Sequence, residues 1–77
     1  MAKLTITDKL QAVAIARGYQ IVATKSRKYT TYETQEGKRY HIGKRGALRF
    51  GRTITESFSC EGTIRDRWIA EYNKLAA

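Results

Sequence analysis

Few residues of this chain are of a type that does chemistry by itself. His41 is the one histidine and Cys60 the one cysteine among 77 residues. A transition-metal site needs three or four ligands at motif spacing, and a lone histidine without a second histidine or a cysteine pair supplies no such set. Cys60 could act as a nucleophile only beside a base, and none stands near it in sequence, so a small packed sulfur is the expectation. Glu56, Glu61, Asp66 and Glu71 would have to converge in pairs for acid-base work, and scattered helix-terminal and surface carboxylates need no such role. These residues imply a non-enzymatic protein with no cofactor and no metal.

Binding chemistry is better represented. The net charge is +8, and it is placed unevenly. Residues 25 to 52 hold Lys25, Arg27, Lys28, Lys38, Arg39, Lys44, Arg45, Arg49 and Arg52 against only Glu33 and Glu36, a net of +7. Residues 1 to 24 carry +2 and residues 53 to 77 carry −1. Clustered charge creates a local positive potential that attracts phosphates and speeds association, whereas scattered charge chiefly aids solubility. Arg and Lys engage a phosphate backbone, and an interleaved Tyr29 or His41 is suited to stack on an exposed base. The candidate binding residues are therefore Lys25, Arg27, Lys28, Tyr29, Arg39, His41, Lys44, Arg45, Arg49 and Arg52. The partner expected for them is nucleic acid, DNA or RNA. An acidic protein docked on the same face by an interaction module or inhibitor is the alternative, since charge complementarity serves either.

The remaining composition bounds the setting. A chain this short supports one small domain with a thin stability margin. Hydrophobic residues at 42% and charged residues at 29% are ordinary globular usage. The longest apolar stretches, such as Ala12 to Ala16, fall far short of the roughly 18 to 20 residues that span a bilayer. The opening Met1-Ala2-Lys3-Leu4-Thr5 has no apolar run of the signal-peptide kind. With Cys60 alone no intramolecular disulfide forms, and the expected location is the reducing cytoplasm.

The elements that must position the basic residues are legible from periodicity. Residues 7 to 18 read as a helix in which Asp8 and Gln11 make a capping box, Thr7 competes as the cap, and Gly18 supplies a left-handed stop. Leu10, Val13, Ala14 and Arg17 share one face, and Ala12, Ile15 and Ala16 widen the apolar side, so the helix is expected to be well buried. From Tyr19 to Thr24 the period becomes two, which predicts a strand. Gln35-Glu36-Gly37 and Lys44-Arg45-Gly46 each place glycine third between strand-like runs, as a three-residue hairpin loop with a left-handed last residue requires. Residues 52 to 60 read as a short strand or ordered loop. After Gly62, Thr63 is the expected cap of a second helix with an apolar stripe of Ile64, Trp68, Tyr72 and Leu75 and with Ile69 beside it. Trp68 on that stripe is a core residue rather than a binding aromatic.

Three-residue loops set the register of the strands. In the first hairpin Glu33 faces Arg39, Tyr32 faces Tyr40 and Thr30 faces Ile42; in the second, Ile42 faces Leu48, His41 faces Arg49 and Tyr40 faces Phe50. Opposite residues share a sheet face, so Tyr32, Tyr40, Ile42, Leu48 and Phe50 fall on one side. Arg27, Tyr29, Thr31, Glu33, Arg39, His41 and Arg49 fall on the other, with Lys44 and Arg45 at the adjoining tip. A four-residue second loop would put Leu48 and Phe50 beside Arg39 and His41 and spoil both faces. The fold class expected is α+β: an N-terminal helix, a three- or four-stranded antiparallel meander, and a C-terminal helix packed on one sheet face.

Two resemblances attach to these residues. Gly43-Lys44-Arg45-Gly46 is similar to the GXXG loop of KH domains, where glycines let backbone amides approach a nucleic-acid backbone. A KH loop joins two helices, whereas this one sits between strand patterns, so the likeness implies a hairpin tip able to touch phosphate or probe a groove. The helix, strands, helix order also resembles the double-stranded RNA-binding domain in topology. The second helix here opens Gly62-Thr63-Ile64-Arg65-Asp66-Arg67, without the lysine pair that such domains place there.

Overall fold

The computed structural model describes residues 4–22 and 27–77, and its element order is helix, five strands, helix. Lys25 and the Ala23-Thr24 end of the first expected strand lie outside the described residues. Helix α1 spans Ile6–Ala16. Strands β1 (Gln20–Val22), β2 (Tyr29–Glu33), β3 (Arg39–Gly43), β4 (Leu48–Gly51) and β5 (Ser57–Ser59) pair in chain order as one antiparallel meander. Helix α2 spans Thr63–Ala76. The α+β class is as expected, with five strands rather than three or four, because the 52 to 60 run does contribute an edge strand.

Helix α1 begins earlier than its composition suggested. Thr5 is the cap: its hydroxyl accepts from the Asp8 amide at 3.1 Å while the Asp8 carboxylate accepts from the Thr5 amide at 3.0 Å. This reciprocal pairing satisfies two of the donors that every helix start leaves open. The Asp8–Gln11 box is thus replaced by a Thr5–Asp8 box one turn upstream, which frees Thr7 for another use. Gly18 takes φ 82° at the other end, as expected of a left-handed stop, and the Tyr19 amide returns to the Ala14 carbonyl at 3.0 Å. Helix α2 starts on Gly62 at φ 139°, with no side-chain cap, and Thr63 is its first residue rather than its cap. The Arg65 amide instead closes on the Cys60 carbonyl at 3.0 Å.

Both hairpins have the register that the three-residue loops require, from Glu33 opposite Arg39 to Tyr40 opposite Phe50. One sheet face meets the helices. Leu10, Val13 and Ala14 of α1 and Trp68 of α2 pack with Tyr32, Ile42, Leu48 and Cys60, and Tyr19, Tyr40, Phe50, Ile69 and Tyr72 close around them. Tyr40 stands at the centre of an aromatic group, 4.7 Å from Phe50, 5.0 Å from Trp68 and 5.9 Å from Tyr19 between ring centroids. Such offset and tilted pairs add to the area they bury.

The two helices are joined by Arg17. Its guanidinium donates to both Glu71 carboxylate oxygens, at 2.8 and 3.0 Å, and lies 4.6 Å from the Trp68 ring. The forked contact holds the Glu71 carboxyl below its ordinary range and raises the Arg17 guanidinium above its own. The helices are less covered than their stripes implied. Ile15 is 62% exposed and Ala16 is exposed, so the apolar side of α1 narrows to Leu10, Val13 and Ala14. On α2 the stripe is sealed only at its middle: Trp68 is buried, while Ile64 and Leu75 are exposed. Two helices lying over a five-stranded sheet leave its margins bare, and Ile21 on β1 and Phe58 on β5 are likewise exposed. None of the helices among the described residues is long and apolar enough to cross a membrane.

Candidate functional site

The sheet face turned away from the helices carries Tyr29, Arg39, His41 and Arg49 of the candidate residues, and it is not one open basic surface. Thr31 and His41, opposite each other on β2 and β3, are each only 2% exposed. Nε2 of His41 lies 2.9 Å from the Gly51 carbonyl and Nδ1 lies 2.8 Å from the Thr31 hydroxyl. A carbonyl only accepts, so in the neutral ring Nε2 carries the proton and Nδ1 accepts from Thr31. His41 is therefore a satisfied interior group and not a platform for a base, which corrects its place among the stacking candidates.

The arginines of this face are likewise engaged with the protein. Arg49 donates from Nε to the Ser57 hydroxyl at 2.8 Å and from Nη2 to the Ser57 carbonyl at 2.6 Å, tying β4 to β5. Arg39 pairs with Glu33 at 3.1 Å, and Arg52 pairs with Glu56 at 2.8 Å. The latter two pairs are partly or largely solvated and worth little to stability, but in each a carboxylate offsets the arginine's charge. The chain turns back at Gly51, whose carbonyl is the partner of His41 Nε2. A Cβ there would meet the Glu56 carbonyl and Ser57, so residues 52 to 57 fold back tightly against β4. Alternation along a strand tells which face a side chain takes and not how far the neighbouring loop covers it.

The remaining candidates do converge. Lys28, Tyr29, Lys44 and Arg45, with Ala47, line a cleft of about 490 Å³ where the start of β2 meets the β3–β4 turn. No carboxylate among the described residues lines it. Lys28, Lys44 and Arg45 are exposed and Tyr29 is half-buried. Arg27 is exposed just before Lys28. The cleft exists because Tyr29 stands opposite Gly43 and its ring lies on that glycine: a Cβ at position 43 would fall 2.7 Å from Cε1 and 2.9 Å from Cδ1.

The turn that carries Lys44 and Arg45 is clamped from behind. The Thr7 hydroxyl donates to the Gly43 carbonyl at 2.7 Å and accepts from the Gly46 amide at 2.8 Å, bridging the two ends of the loop from the first turn of α1. From the other helix, Arg65 Nη1 donates to the Gly46 carbonyl at 3.1 Å. Ile6 fills the space beside Gly46, where any Cβ would lie 2.6 Å from its Cγ2. Within this frame Arg45 takes φ 62°, a left-handed conformation uncommon for a residue with a side chain. Such conformations persist where the surroundings over-determine them, and they gather at binding sites.

Sequence reasoning missed Thr7, Arg65 and Gly43 as positioning residues. Thr7 is a polar residue in a helix's first turn, which by itself says only that it can cap. Among the described residues no three His, Cys, Asp or Glu gather to hold a metal ion. Cys60 is buried, and burial pushes its thiol up despite the nearby Arg49, so it is a packed sulfur as expected. A second hollow of about 270 Å³, lined by Gly18, Gln20, Glu33, Thr34 and Gln35, carries a single charge, already paired with Arg39. Compared with protein-family models, curated proteins and solved structures, the chain finds no match.

Proposed function

We propose that this protein is a non-enzymatic nucleic-acid-binding module that engages the phosphate backbone through the cleft between β2 and the β3–β4 turn. The observation that carries this reading is the convergence of Lys28, Lys44 and Arg45 around Tyr29 in one cleft, whose lining holds no carboxylate among the described residues. Phosphate contacts fix the position of a nucleic acid, and their strength comes from displaced counterions. The clamp by Thr7 and Arg65 lets the turn meet a ligand without first losing conformational freedom, which favours affinity.

Titration of a labelled oligonucleotide at several salt concentrations tests this. Three engaged phosphates give a slope of log K against log salt of about −2 for a single strand. Lys44→Gln and Arg45→Gln should each reduce it by about 0.7. No binding at low salt would refute the reading. A complex recovered from lysate that survives nuclease and high salt would instead assign the cleft to an acidic protein.

A further inference from the structure

Resting on the nucleic-acid reading above, we infer that the cleft takes an unpaired nucleotide, with its base stacked on the Tyr29 ring and its phosphates held by Lys28, Lys44 and Arg45. Three features of the site carry this. The first is the seat of the ring. The Tyr29 ring is seated against β3 so closely that a Cβ at position 43 would fall 2.7 Å from its Cε1 and 2.9 Å from its Cδ1, and only glycine fits there. Gly43 thus holds the ring in place, and Tyr29 is the aromatic residue of the cleft lining. A base inside a duplex has both faces covered by its neighbours and offers only its edges; a face free to lie on an aromatic ring belongs to an unpaired base.

The second feature is the shape of the tip. A hairpin that reads a duplex must enter a major groove about 12 Å wide and 8.5 Å deep. The Lys44–Gly46 turn is drawn onto both helices, by Thr7 and Ile6 of α1 and by Arg65 of α2. It does not stand clear of the body as a free ribbon, so groove insertion, one use the GXXG-like loop suggested, does not suit it. The third feature is the placement of charge. Lys28 and Lys44 are the next residues beyond the Tyr29–Gly43 pair on their two strands, with Arg45 following. All three cations line the same cleft as Tyr29, where the phosphates flanking a stacked base would run.

The test uses the full chain and four probes of equal phosphate number: oligo-dT, oligo-U, a DNA duplex, and inorganic polyphosphate, which has charge and no bases. Either single strand should bind about 5- to 100-fold more tightly than polyphosphate, the range that one stacked base supplies. Tyr29→Leu, which refills the ring's volume without its π-face, should remove most of that advantage and leave the salt slope unchanged. Tyr29→Phe should retain it. A single strand carrying 2-aminopurine should lose fluorescence on binding the native protein and not on binding Tyr29→Leu. Equal affinity for polyphosphate and single strands, tighter binding of duplex, or an unaffected Tyr29→Leu would overturn the inference while leaving phosphate binding standing. Failure of all four probes to bind would overturn the nucleic-acid reading itself.

Discussion

Replacing His41 with leucine isolates what the interior polar network contributes. The ring nitrogens serve two buried partners, the Thr31 hydroxyl and the Gly51 carbonyl. Leucine is apolar and bonds neither, so both are left unsatisfied away from water, at about 1–3 kcal/mol each. The expected loss is about 2–5 kcal/mol, against a total stability of about 4–12 kcal/mol for a chain of this length. Thr31→Val alone orphans only Nδ1 and should cost about 1–2 kcal/mol. In the double variant only the Gly51 carbonyl lacks its partner, so Thr31→Val added to His41→Leu should restore about 1–2 kcal/mol instead of costing more. Urea titration followed by circular dichroism measures this, provided the slope with denaturant stays constant across the four proteins. A His41→Leu loss under about 0.5 kcal/mol, or a double variant less stable than His41→Leu, would refute the argument. Affinity for a single-stranded oligonucleotide, measured where the variant remains folded, should stay within about twofold of native, because His41 lies outside the cleft.

Other variants probe the remaining links. Thr7→Val removes both hydrogen bonds that bridge the β3–β4 turn; the expected loss is about 1–3 kcal/mol in denaturation and a several-fold weaker oligonucleotide complex with the salt slope kept. Gly51→Ala drives a Cβ into the Glu56 carbonyl and Ser57, and should lower stability by about 2 kcal/mol or more by melting temperature. Glu71 has its carboxyl lowered by the Arg17 guanidinium, so the unfolded chain binds more protons in that range. The resulting stability is present above the ordinary carboxylate value and is lost as pH falls through the folded one. The ion pair is partly solvated, so its loss should amount to about 1 kcal/mol or less, and Glu71→Gln should flatten stability against pH below the ordinary carboxylate range.

Local rules were enough for much of this molecule. Three-residue loops ending in glycine, with period-two runs on either side, determined the register of β2, β3 and β4, because a shift by one residue would turn Tyr40 and Ile42 to the wrong face. Gly18 marked the end of α1, and the placement of nine cations between residues 25 and 52 marked the stretch that holds the cationic cleft. Tertiary structure alone decided which of those cations line the cleft and which are paired elsewhere. Arg39, Arg49 and Arg52 find partners in Glu33, Ser57 and Glu56, and His41 is buried between Thr31 and the Gly51 carbonyl. The clamp from Thr7 to Gly43 and Gly46 spans more than 35 residues, and no local spacing encodes it. Periodicity determines the side of a strand a residue occupies, since that follows from backbone geometry. Depth and pairing depend on where distant segments come to rest, and that separates the wide basic face of the sequence from the small cleft around Tyr29.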